Sequence, residues 1–269
     1  VFLDKDIPLT LEEYESIREE LISLLSFEGA SLEDRLIAGA VWLDILGDFI
    51  RIASPPPGGE WQKRQEAFDT FFSSMKNERY GRPLRIAQKS LHGMALKRMF
   101  LCLFISLRHD PSKRRSNPSM LFFIIRHYVK GYLYRGKIKM TPLKSDIPLC
   151  ALRKIRIDPG SETWVKAIRD WGADFIRNDS LLKTENIQKG YLFFLLYYAI
   201  AKWYCIARAF LKKADHPDPE DILNSIRIVD EYYMSNPCLE ETDASNPILK
   251  DILEGLFKRK SAPMILVRG

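Results

Sequence analysis

Apolar residues recur at helical spacing along most of this chain. Thr10-Leu-Glu-Glu13 reads as a capping box, in which the threonine hydroxyl and the Glu13 carboxylate satisfy free N–H groups. The helix it opens sets Tyr14, Ile17, Leu21, Leu24 and Leu25 on one face. Ser31-Leu-Glu-Asp34 opens a second helix, with Leu36, Ile37, Ala40, Leu43, Leu46 and Ile50 inward. Ser54-Pro-Pro-Pro-Gly-Gly59 stops it, because proline lacks a donor and glycine relaxes the backbone. This marks a subdomain boundary between an N-terminal helical pair at 1–53 and a main helical domain at 60–269, the alternative being one continuous domain.

Further helical patterns run from about Glu60 to Met75, Pro83 to Arg108, Ser119 to Tyr134, Ser161 to Arg177, Thr184 to Lys213, Pro219 to Ser235 and Pro247 to Lys260. Asp218-Pro219-Glu-Asp221 is a strong start signal, with proline at the first helical position and acids favoured by the helix dipole. Between Lys137 and Gly160 the helical period fails. Lys137-Ile-Lys-Met140 and Leu152-Arg-Lys-Ile-Arg-Ile157 alternate weakly, which suggests a minor β-hairpin around 137–157 or an extended arm. The tail Ser261–Gly269 reads as a docked apolar strand or a mobile end. The expected fold class is all-α, a multi-helix bundle of eight or nine helices with that one minor hairpin.

Tyr191 to Phe210 is almost wholly apolar and long enough to cross a membrane, but Lys202 and Arg208 fall inside it. A buried central helix is the better reading. The N-terminal VFLDKDIPLT has no basic region followed by an apolar stretch, so it does not read as a signal peptide.

Charge changes the picture more than composition does. Residues 79–156 hold nineteen lysines and arginines against Asp110 and Asp146, a net +17, leaving −11 to the rest of a chain whose total is +6. Clustered cations attract phosphates, anionic lipid or an acidic protein surface. Lys113, Arg114 and Arg115 lie in a proline-flanked loop that cannot easily bury them. Arg126, Lys130, Arg135, Lys137 and Lys139 follow, interleaved with Tyr128, Tyr132 and Tyr134. Arg126 and Lys130 are four apart and share a helix face. Cations beside aromatics also suit single-stranded nucleic acid, which is kept as a lesser reading. The opposing reading makes these residues solvated helix faces, or partners for the chain's own acidic flanks.

Other chemistry is thin. The cysteines Cys102, Cys150, Cys205 and Cys238 lie 48, 55 and 33 residues apart, with no paired-cysteine motif and no histidine at ligand spacing, so neither metal nor cofactor is expected. Three of the four sit in apolar or mixed surroundings and read as small core residues, which suits a reduced, cytoplasmic protein. His92, His109, His127 and His216 are too dispersed to form a motif. Asp44 and Asp48 share a helix face but lack the compact aspartate run of magnesium-dependent prenyl-type enzymes. Glycine-rich phosphate loops, nucleophile elbows and zinc-helix motifs do not occur, so no catalytic residue is assigned.

Three segments carry a resemblance: Ser31-Leu-Glu-Asp-Arg-Leu36, Thr184-Glu-Asn-Ile-Gln-Lys-Gly-Tyr191 and Asp218-Pro-Glu-Asp-Ile222. In this order they resemble the helical C-terminal part of cysteine-cluster proteins of the flagellin lysine-N-methylase type. That family carries an N-terminal run of closely spaced cysteines, which this chain lacks, so no metal ligand transfers. The resemblance implies a helical body that binds a protein substrate or packs against a metal-bearing segment, with methyl transfer falling on no residue here.

The leading expectation is a helical interaction protein that recognises an anionic or protein partner through its basic central surface. The alternative is the helical body of a lysine-N-methylase-like enzyme. A membrane-surface protein using the same cations plus the apolar tail is a third reading. Changing Lys113, Arg114 and Arg115 together to alanine should weaken partner binding and flatten its salt dependence.

Overall fold

The computed structural model describes residues 1–53, 66, 68–73, 80–89, 98, 101–102, 104–106, 118–133, 135–158, 160–235 and 247–268. Among them are nine helices of seven or more residues and a single two-stranded hairpin, an all-α architecture. The helices are α1 (Leu11–Leu25), α2 (Leu32–Ala53), α3 (Gly81–Lys89), α4 (Pro118–Leu133), α5 (Glu162–Arg177), α6 (Ile187–Leu211), α7 (Pro219–Val229), α8 (Pro247–Phe257) and α9 (Ala262–Arg268). Strands β1 (Lys137–Met140) and β2 (Ser145–Pro148) follow α4. The chain divides into two compact units, one of residues 1–91 and 168–195, the other of 92–167 and 196–269.

In the first unit, α1 starts as its sequence requires. Thr10 Oγ1 accepts from the Glu13 N–H at 3.2 Å, and Glu13 Oε2 accepts from the Thr10 N–H at 2.7 Å. Tyr14, Ile17, Leu21, Leu24 and Leu25 are buried, each side chain contributing about 1.5–3 kcal/mol through removal from water. Arg35 of α2 reaches back and donates to Leu25 O (2.7 Å), satisfying a carbonyl at the end of α1. Trp42 lies among Phe71 and Phe72, ring centroids 5.8 and 5.5 Å away. The start of α6 is capped by backbone: Ile187 and Gln188 donate to the carbonyls of Phe2 and Leu3 at 3.0 and 3.2 Å. Tyr191 then donates to Leu36 O (3.1 Å).

In the second unit, α6 continues through Leu196–Leu211, and its tyrosine Tyr204 shares a buried hydroxyl contact of 3.0 Å with Tyr233. The most apolar stretch of α6 is 89% buried within the protein. Length and composition would let such a helix span a membrane, but here it is a core helix. Trp164 packs on Tyr198 at 5.9 Å. Asp218 and Asp221 form the capping box of α7, which runs into a π-helical turn at Asp230–Met234. Trp42, Trp164, Trp171 and Trp203 are all buried.

Two local expectations are corrected. The partner of Lys137–Met140 is Ser145–Pro148, not the stretch 152–157, and the antiparallel register sets Ile138 opposite Ile147 and Lys139 opposite Asp146. A short turn at Thr141–Leu143, with Lys144 in the left-handed region, closes the hairpin early; Ala151–Lys154 then forms a helical turn. The tail is helical, with Ile265, Leu266 and Val267 buried, because tertiary burial outweighs the strand preference of its β-branched residues.

Candidate anion-binding surface

Five of the eight predicted cations lie along α4, the turn after it and β1. Pro118 occupies the first helical position, where its missing N–H is not needed. At the other end the Arg135 N–H donates to Lys130 O (3.3 Å). Gly136 has φ of +92°, a state that side-chain-bearing residues rarely adopt. The turn folds the chain against its own helix: a Cβ placed on Gly136 would lie 3.5 Å from Lys130 Cε. In β1, Ile138 and Met140 are buried, so Lys137 and Lys139 face solvent, about 7 Å apart along the strand. Lys144, at the hairpin tip, is exposed as well.

These cations form no ion pair among the described residues. Arg126, Arg135, Lys137 and Lys139 are exposed and Lys130 is half-buried, and none of the five forms an ion pair among the described residues. Asp146 is the one acid of the hairpin, opposite Lys139. Elsewhere the pairing is dense. Arg18 meets Asp179 at 3.2 Å, Lys189 meets Glu185 at 3.2 Å, Arg51 meets Asp4, and Arg208 and Lys212 share Asp221 at 3.2 and 2.9 Å. Acids of the flanks thus pair with cations of the flanks, and Arg126, Lys130, Arg135, Lys137 and Lys139 have no ion pair among the described residues.

A second feature adjoins it. Ile125, Val129, Tyr132 and Leu133 of α4 are 51, 48, 64 and 52% exposed. At 100° per residue they fall within about 100° of arc, and Arg126 and Lys130 border that arc on one side. Sequence reasoning did not single out this arc. The available signal was that α4 is apolar around more of its circumference than one buried face requires.

Lys113, Arg114 and Arg115 lie outside the described residues, as do the side chains of Tyr128 and Tyr134. Of the predicted set, the structure places Arg126 and Lys130 on α4, Arg135 at the turn after it and Lys137 and Lys139 on β1, with Lys144 exposed at the hairpin tip. Free thiols are found at Cys102, Cys150 and Cys205. Burial pushes the Cys102 and Cys205 thiols up to about 12, which makes them inert core groups at neutral pH. Among the described residues there is no cluster of three or more potential metal ligands. Asp48 pairs with Arg51 at 3.6 Å on the exposed side of α2. The segments that carry the family resemblance are all helix starts: Ser31, Asn186 and Asp218 accept from the N–H groups of Asp34, Lys189 and Asp221 at 3.1, 2.8 and 2.8 Å.

Comparison of the chain with family models, with curated proteins and with solved structures finds no match.

Proposed function

We propose that this helical protein is a cytoplasmic interaction module that takes an anionic partner on the surface formed by α4 and β1. One observation carries the reading: Arg126, Arg135, Lys137 and Lys139 stand exposed with no ion pair among the described residues, while acids such as Asp179 and Asp221 are engaged with other cations. Crowded like charges cost folding stability, and an anionic partner relieves that cost on binding. The arginines supply planar, bidentate donors for phosphate, sulfate or carboxylate; the lysines act as point charges that steer approach. Nucleic acid is the weaker partner class, since the exposed Ile125, Val129 and Leu133 beside Tyr132 offer bases no aromatic face.

Heparin, an anionic polymer with neither bases nor an apolar phase, is the direct probe. The wild-type protein should bind it in a salt-dependent way. The variant Arg126→Gln, Arg135→Gln, Lys137→Gln, Lys139→Gln should bind weakly, with a log–log salt slope reduced by about three. Equal neutralisation at Lys5, Lys166, Lys183 and Lys260, all exposed and outside the surface, should change binding much less. If the two quadruple variants behaved alike, net charge alone would explain binding and the surface would lose its role.

A further inference from the structure

We infer that the anionic partner is a lipid surface: α4 lies on the face of a negatively charged bilayer, with its aliphatic arc in the headgroup region and its cations on the phosphates. This rests on the reading above and narrows it to one partner. The cations alone would accept any polyanion. Ile125, Val129 and Leu133 would not help to hold a sulfated sugar or a nucleic-acid backbone, yet they stand about half exposed beside Arg126. Three aliphatic side chains next to unpaired cations ask for a partner that is apolar and anionic at once.

Three occupants meet that description, and charge and shape separate them. A second copy of α4 packed on the first would bring two sets of cations to one interface, where like charges repel. An acidic amphipathic peptide helix is usually held in a groove between elements. Here the arc is on the outward side of one helix. A bilayer surface suits an outward arc, since aliphatic side chains enter its headgroup boundary to a depth of about 5–10 Å while flanking cations stay with the phosphates. Tyr132, the most exposed member at 64%, is also the residue type that favours this boundary. Arg135, Lys137 and Lys139 extend the cationic rim beyond the helix, a spread that an extended anionic plane meets more fully than a single peptide.

The test uses the full chain and flotation with two kinds of vesicle, phosphatidylcholine alone and phosphatidylcholine with phosphatidylserine. Heparin affinity is measured in parallel. The wild-type protein should float with the anionic vesicles only. The variant Ile125→Gln, Val129→Gln, Leu133→Gln keeps every cation and a good helix former at each site. It should lose vesicle affinity by about tenfold or more with heparin affinity unchanged. The quadruple cation variant should lose both, its vesicle affinity by about a hundredfold or more. Heparin binding without flotation would overturn the lipid assignment and leave the anionic surface standing. Flotation of the glutamine variant at wild-type affinity would also overturn it, because the arc would then play no part. Capture of an acidic amphipathic peptide, abolished by the same glutamines in a protein that ignores vesicles, would give the surface to a protein partner. Loss of both heparin and vesicle binding from the wild type would remove both readings.

Discussion

Asp221 shows how much a single carboxylate can hold. It is fully buried, pairs with Arg208 and Lys212, and accepts the Asp218 N–H at 3.3 Å in the capping box of α7. Asp221→Asn keeps the shape and removes the charge between two partly exposed cations that retain Asp218 and Glu220, so a loss of about 1.5–3 kcal/mol is expected in urea unfolding. The pH dependence of this corner follows from its rim. The hydrogen bond from Lys212 holds the Asp218 carboxyl below its ordinary value, and the same bond raises the Lys212 ammonium. A depressed carboxyl adds stability that is present above its unfolded value of about 3.9 and is lost as pH falls below it. A raised ammonium adds stability that is full below about 10.4 and is lost as pH climbs beyond. Thermal unfolding followed against pH should therefore fall off less steeply at both extremes in Lys212→Met than in the wild type. Gly190 is a residue of the opposite kind, required for what it lacks. A Cβ there would lie 2.3 Å from Leu181 O, a backbone atom with nowhere to go. Gly190→Ala should cost about 3 kcal/mol, measured by the same unfolding transition.

At the level of elements, the legible parts were those whose signal is local. Thr10 with Glu13 announces α1 by its capping box and Pro219 among acids announces α7; both helices start there, and Asp218 with Asp221 closes a second box. The inward faces of α1 and α2 follow from spacing alone. The hairpin was located, but its second strand was not, because Ser-Asp-Ile-Pro148 has no alternation worth noticing until Ile147 is set against Ile138. The tail was missed for a related reason: Ile265, Leu266 and Val267 look like strand until a surrounding core claims them. Leu266→Ala should then cost about 2–5 kcal/mol in chemical unfolding, where a strand end or free tail would lose almost nothing. The candidate surface was half legible. Its cations were countable from the sequence, but their lack of ion pairs and the neighbouring aliphatic arc depend on where acids and core end up in space. For the same reason, no linear reading joins residues 168–195 to 1–91, since the union rests on pairs such as Tyr14 with Asp179 (3.0 Å).

For the whole molecule, the split between a +17 centre and −11 elsewhere sets stability against binding. Unrelieved like charge is screened by salt over about 10 Å at moderate ionic strength. The quadruple glutamine variant at Arg126, Arg135, Lys137 and Lys139 should thus melt above the wild type at low salt, and the gap should close as salt is added. A variant less stable than the wild type at low salt would mean that these side chains hold the fold together. The buried tryptophans bear on how any of this is watched. With Trp42, Trp164, Trp171 and Trp203 shut away from solvent and none on α4 or the hairpin, their ultraviolet emission is tied to the integrity of the core. Docking on the cationic face should leave that glow almost unaltered, while unfolding reddens it. In a Trp61→Phe background, where these four are the remaining tryptophans, the fluorophores are therefore a gauge of folding, and an optical signal for capture must be supplied by a dye or an indole placed on α4.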